Sequence, residues 1–209
     1  EEQFYLLFPV FLFFTWNIGK NKVVWIIIVF FTISLLLSEL GLRNMQSANF
    51  YLAPTRVWEI FAGSIAAFIA QRNGIKSNNV LSLLGLFAII FAIFAYDETT
   101  PFPSVYALVP VIGVVLLILF ADKKTIVSKL LSTKVFVGIG LISYSAYLWH
   151  QPIIVFFERE LEILVEPNQK VYLSLAAILI TVLMSVFTYF YIEKPFRFLV
   201  HKKYFNFVI

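Results

Sequence analysis

The chain contains no cysteine, which excludes disulfides, thiolate metal sites and a cysteine nucleophile. Charge is scarce as well. Only 13% of the 209 residues are Asp, Glu, Lys or Arg, about half the share of ~25% found in soluble domains. Histidine occurs twice. What fills the space is apolar: 61% of residues are hydrophobic, against roughly 45–50% in soluble proteins, and the mean hydropathy is +0.89. A soluble sphere of this size cannot bury so much apolar surface. Disorder and nucleic-acid binding are excluded on the same ground, because both need a polar chain. The composition is that of a membrane protein, with the lipid bilayer as its first partner.

Crossing a bilayer as a helix takes about 20 mostly apolar residues. The candidate stretches are Phe4–Trp16, Val23–Ser38, Thr55–Ala70, Val80–Tyr96, Val105–Ala121, Val135–Phe157 and Val171–Ile192. The expected fold is therefore all-α, a polytopic transmembrane helical bundle of about seven spans. Charge placement orients it. Lys20 and Lys22, Arg72 and Lys76, the lysines at 123, 124, 129 and 134, and Lys194, Arg197, Lys202 and Lys203 fall in alternate connections. Those are twelve of the sixteen basic residues, and ten of the twelve acids lie on the opposite side. The positive-inside rule then places the C-terminus in the cytoplasm and residue 1 outside. Omitting the third stretch, which carries Arg56 and Glu59, would invert every later loop. An outside start without a charged leader is unusual, and the expectation is an internal fragment whose first spans are absent.

Ionisable groups inside hydrocarbon cost ~2.5 kcal/mol or more, so each needs a reason. Arg56 and Glu59 are three residues apart and share a helix face, either as a self-neutralising pair near the interface or as the wall of a cavity open to the outside. Trp58 between them is expected to be an interfacial anchor. His150 lies roughly 22 Å from Val135 along a helix, within Ser143-Tyr144-Ser145-Ala146-Tyr147-Leu148-Trp149-His150-Gln151-Pro152. Tyr144, Tyr147 and His150 form a hydroxyl–imidazole stripe at spacings of three, and Pro152 tends to kink the helix beyond them. An imidazole there can accept a proton or bridge to a neighbouring helix. Gly138 and Gly140 are read as a site of close helix packing. Glu193-Lys194-Pro195-Phe196-Arg197 closes the last stretch as a helix end with interfacial charges. No metal-ligand spacing, phosphate loop or nucleophile elbow is present.

Four of these segments together resemble the acyltransferase-3 family of integral membrane O-acyltransferases. They are Glu1-Glu2-Gln3-Phe4-Tyr5-Leu6-Leu7, Arg56-Val57-Trp58-Glu59, Ser143-Tyr144 through Tyr147-Leu148-Trp149-His150-Gln151-Pro152, and Tyr191-Ile192-Glu193-Lys194-Pro195-Phe196-Arg197. The resemblance implies a multi-pass protein of the bacterial plasma membrane. Residues 1–209 would be the C-terminal part of a single acyltransferase domain of about ten spans, inactive alone because the family's first-span arginine and histidine lie upstream. It implies transfer of an acyl group, commonly acetyl, from cytoplasmic acyl-CoA to a hydroxyl of a cell-surface polysaccharide or lipid-linked sugar such as lipopolysaccharide or peptidoglycan. Acyl-CoA is the donor substrate, and no bound cofactor is implied.

On that basis Glu1, Glu2, Arg56 and Glu59 line an outer acceptor site. Tyr144, Tyr147 and His150 sit deeper, where the acyl group passes or reacts, and His150 does chemistry or shapes the passage. Glu193 and Arg197 brace the inner end. Two rivals remain: a transporter or flippase of a lipid-linked saccharide, which also wants buried ionisable groups beside a kinked helix, and a purely structural membrane subunit. The acceptor, the acyl chain, the oligomeric state and any soluble domain after Ile209 stay open.

Overall fold

The computed structural model describes residues 2–44, 49, 52–97, 100–163 and 167–196. The order is α1 (Glu2–Thr15), a 3-10 turn (Trp16–Ile18), α2 (Lys20–Asn44), α3 (Ala53–Asn73), α4 (Asn79–Ala95), a second 3-10 turn (Val105–Ala107) and α5 (Leu108–Phe120). There follow α6 (Ile126–Leu131), α7 (Lys134–Ile163), α8 (Pro167–Thr188) and a π-helical turn (Tyr189–Glu193) that continues α8. The described residues contain no strand, only an isolated bridge between Ser77 and Ala121, so the fold is all-α. A helix falls on each of the seven apolar stretches. Lys20–Leu42 and Val171–Phe196 are long and apolar enough to cross a membrane, and Leu6–Ile18, Asn79–Ala95 and Val105–Phe120 are shorter apolar helices.

Local chemistry explains the breaks. Gly19 takes φ 103°, a conformation that costs glycine little, and its carbonyl accepts the Lys22 and Val23 amides at 3.0 and 3.1 Å to start α2. Pro54 sits in the first turn of α3, where a missing N–H goes unnoticed. Gly74 (φ 71°) ends that helix, its amide donating to the Ala70 carbonyl at 2.9 Å. Asn78 caps α4, its Oδ1 accepting from the amides of Val80 and Leu81 at 3.0 and 3.1 Å.

The helices gather into two compact units, Glu1–Leu130 and Leu131–Ile209. In the first, α2 packs on α3, α4 on α5, and α3 on α5. Val23, Ile27 and Phe61 form its core, with Phe4, Phe8 and Phe11 packed around them. The Phe4 ring meets Phe61 edge-on at 5.5 Å and stacks on Phe8 at 4.6 Å. Trp58 belongs to this interior. It is 0% exposed and stands edge-on to Phe31 at 6.0 Å, so it is a packing residue and not the interfacial anchor expected.

Close packing of glycine occurs at another place than expected. A Cβ on Gly138 or Gly140 would meet nothing within 4 Å among the described residues. The close approach is between α4 and α5, where a Cβ on Gly85 would lie 2.7 Å from the Gly113 carbonyl oxygen, and one on Gly113 would lie 2.7 Å from that of Gly85. Small residues allow backbones this near in bundles that cannot rely on the hydrophobic effect.

In the second unit α7 and α8 run antiparallel, with Ser145, Trp149 and Ile153 of α7, one turn apart, on the face toward α8. Large apolar side chains cover the outward faces of both units, Phe94 at 85% exposed being the extreme. Soluble monomers rarely present apolar patches beyond a few hundred Å².

Candidate active site

Arg56 and Glu59, on the first turns of α3, are within 3.9 Å of each other and both half-buried. The expected shared face is therefore realised. The Arg56 guanidinium also lies 5.3 Å over the Phe102 ring, a cation–π contact with the segment between α4 and α5. Beneath the pair is a buried polar knot that sequence periodicity did not indicate. Asn49 Nδ2 donates to the carbonyls of Ser38 (2.9 Å) and Pro103 (3.3 Å), and the Ser38 hydroxyl donates to Pro103 at 3.0 Å. Thr55 Oγ1 donates to the Asn49 carbonyl at 2.6 Å. One turn along, the Ser34 hydroxyl donates to the Pro54 carbonyl (2.6 Å) and accepts the Trp58 amide (3.1 Å).

These bonds hold α2, the start of α3 and the 100–107 segment in one arrangement under Arg56. Asn49→Ala removes two buried hydrogen bonds, to the Ser38 and Pro103 carbonyls, each worth about 0.5–1.5 kcal/mol. We expect a lower thermal midpoint for this variant in detergent, whereas Thr32→Ala, whose exposed hydroxyl bonds only its own helix, should match the wild type.

In the second unit the expected imidazole stripe is partly formed. The Tyr147 and His150 rings are 5.6 Å apart, while Tyr144 and Tyr147 are both exposed. His150 Nδ1 lies 2.6 Å from the Tyr147 carbonyl oxygen. A carbonyl only accepts, so Nδ1 carries the proton and a neutral ring keeps its lone pair on Nε2. His150 also lines a cavity of about 420 Å³ between α7 and α8, otherwise mostly apolar, with Ser174 and Thr181 on the opposite wall. A proton acceptor, two hydroxyls and apolar walls suit a small acyl group.

Glu193 is tied to α7. Its carboxylate accepts a hydrogen bond from the buried Ser145 hydroxyl, and Trp149 Nε1 donates to Thr188 Oγ1 at 2.8 Å. Ser145 is the twelfth residue of α7, so Glu193 meets that helix about 16 Å from its start. The π-helical turn is the reason. In an α-helix residues five apart point about 140° apart, whereas the wider i to i+5 turn over Tyr189–Glu193 stacks them. Thr188 and Glu193 therefore both face α7.

Sequence reading also missed Ser174, Thr181, Ser185 and Thr188. Their spacings of seven, four and three mark one helical face, and that periodicity was the signal available. Glu1 and Arg197 lie outside the described residues, as does the side chain of Glu2.

The model of the acyltransferase domain family matches residues 1–192. The chain belongs to this family. Among curated proteins, the chain is 32% identical to the O-acetyltransferase OatA of Staphylococcus aureus (strain NCTC 8325 / PS 47), over 94% of its own residues and 34% of the relative's. It is 28% identical to the peptidoglycan O-acetyltransferase OatA of Listeria monocytogenes serovar 1/2a, again over 94% of the chain and 34% of that relative. The chain thus spans about a third of the length of the curated relatives it matches. No solved structure matches it.

Proposed function

We propose that this chain is the C-terminal part of the membrane-spanning domain of an O-acetyltransferase that moves an acetyl group from acyl-CoA, reached from the cytoplasm, to a hydroxyl of a cell-wall glycan outside. Family membership over residues 1–192, with relatives named as O-acetyltransferases along 94% of the chain, is the observation that carries this. In this reading the chain makes seven spans of a bacterial plasma membrane, residue 1 outside and the C-terminus in the cytoplasm. The lysine distribution supports that arrangement, as do the helices on all seven stretches and the apolar side chains on their outward faces.

The reaction breaks the thioester C–S bond and forms an ester C–O bond, and the acceptor hydroxyl's proton finally rests on the CoA thiol. A base near the hydroxyl lowers the barrier to attack. His150 suits that role, because the bond from Nδ1 to the Tyr147 carbonyl holds Nε2 as the acceptor. The mostly apolar walls of its cavity offer water few partners, which disfavours hydrolysis of the thioester. Arg56 and Glu59 suit the glycan, one donating to and one accepting from sugar hydroxyls, with Glu1 and Glu2 assigned to the same outer site. Tyr144 and Tyr147 line the acyl route. Glu193 positions α8 against α7, and Arg197 serves the cytoplasmic end.

The test is acetyl-CoA-dependent release of free CoA by the full-length protein in native membranes, with envelope glycan as acceptor. Arg56→Ala and Glu59→Gln are expected to lower acceptor-dependent release at least about tenfold, since a hydrogen bond to a charged group is worth ~1.5–3 kcal/mol. Release unchanged in both variants would remove the pair from the machinery. No release with any acceptor would shift the reading to a flippase of a lipid-linked saccharide.

A further inference from the structure

A cavity of about 1090 Å³ lies at the opposite end of α3 from Arg56 and Glu59, between the beginning of α2 and the end of α3. Its walls are graded. At one end stand Lys20 and Arg72 with the amides of Gln71 and Asn73, and at the other Val24, Ile28 and Ile69. The grading follows from two antiparallel helices whose sequences both pass from polar to apolar in the same spatial direction. The lining positions recur at helical intervals, 20, 24 and 28 on α2 and 69 with 72 on α3, so they form one continuous groove. No acid occurs between Trp16 and Ser38 or between Ile60 and Tyr96, so the stretches of α2 and α3 that line the groove offer its cations no carboxylate.

We propose that this groove binds an anionic phospholipid, with the phosphate between Lys20 and Arg72 and one acyl chain along Val24, Ile28 and Ile69. A soluble phosphate compound would satisfy the cations and leave the apolar end in water, whereas a phospholipid matches both ends. The proposal rests on the membrane-spanning reading, in which this end of α2 and α3 is the cytoplasmic one. There, anionic headgroups attract basic residues, and two cations correspond to a preference of about tenfold or more over a zwitterionic lipid.

Trp25 also lines the groove and is 67% exposed, which makes it a reporter. The full-length protein is reconstituted in phosphatidylcholine vesicles containing a low fraction of either brominated phosphatidylglycerol or brominated phosphatidylcholine. The Trp25 signal is the difference between wild type and Trp25→Phe. Half-maximal quenching by brominated phosphatidylglycerol is expected at about a tenth of the mole fraction needed with brominated phosphatidylcholine. Lys20→Gln with Arg72→Gln should abolish that difference while the protein still floats with the vesicles. Equal quenching by both lipids overturns the proposal. Reversal of the phosphatidylglycerol quench by free CoA overturns it too, assigning the groove to a soluble phosphate. Should neither lipid quench any tryptophan and the protein not float, the membrane-spanning reading itself fails, an outcome separable from the others.

Discussion

His150→Ala should slow acetyl transfer by about 10²–10⁴-fold, the range lost when a positioned acid–base group is removed. The expectation rests on the ring's bonding. Nδ1 is committed to the Tyr147 carbonyl, which fixes the tautomer of a neutral ring, aligns it with its own helix and leaves the lone pair on Nε2. His150→Gln separates chemistry from shape. Glutamine offers hydrogen-bonding groups at similar reach and cannot take a proton at neutral pH. If His150 is the base, both variants lose kcat to a similar degree and keep the KM for acetyl-CoA within a few-fold. Recovery of most of kcat by the glutamine variant would reduce the imidazole to a hydrogen-bonding and packing role. The measurement is steady-state release of CoA at matched protein levels in membranes.

Gly85→Val and Gly113→Val carry the largest expected cost to stability. Each glycine faces the other's backbone, and a Cβ on either would sit 2.7 Å from a carbonyl oxygen. A backbone atom cannot rotate aside as the end of a side chain can, so α4 and α5 must separate. Overpacking of this kind costs ~1–3 kcal/mol and sometimes more. The second substitution should add less than the first, because the helices are by then apart and the two sites share one contact. Gly138→Ala is the control. It lies inside α7 with open space around it, and alanine gains up to ~1 kcal/mol of helix propensity. Thermal midpoints in detergent should fall for the first pair and hold or rise for the control.

The contrast between these glycines shows how far sequence could be read. Helices on the seven stretches were legible because long apolar runs bounded by charge specify them locally. The Arg56–Glu59 contact was legible because a spacing of three on a helix brings side chains together. Which glycine meets another helix is a tertiary fact, and Gly85 and Gly113 carry no local mark that Gly138 and Gly140 lack. Trp58 was misplaced for the same reason, since a tryptophan beside charges looks interfacial until α2 supplies Phe31 to cover it. The knot at Asn49 joins residues from three segments, and no periodicity within one helix can announce it. The groove of Lys20 and Arg72 arises likewise from two helix ends that meet only after folding.

The π-helical turn before Lys194 has a consequence for how the segment tolerates change in length. Glu193 reaches Ser145 because five residues separate it from Thr188 in a turn that stacks positions five apart. Shortening the span by one residue would make the gap four, which a regular α-helix also stacks, so the carboxylate would stay in phase. Lengthening it by one would make the gap six, and the carboxylate would swing to the far side. The segment works as a ratchet with one permitted notch in reserve. It preserves a bearing between two helices by residue count, and the side chains at Phe190 and Tyr191, both exposed, are left unconstrained by that bearing.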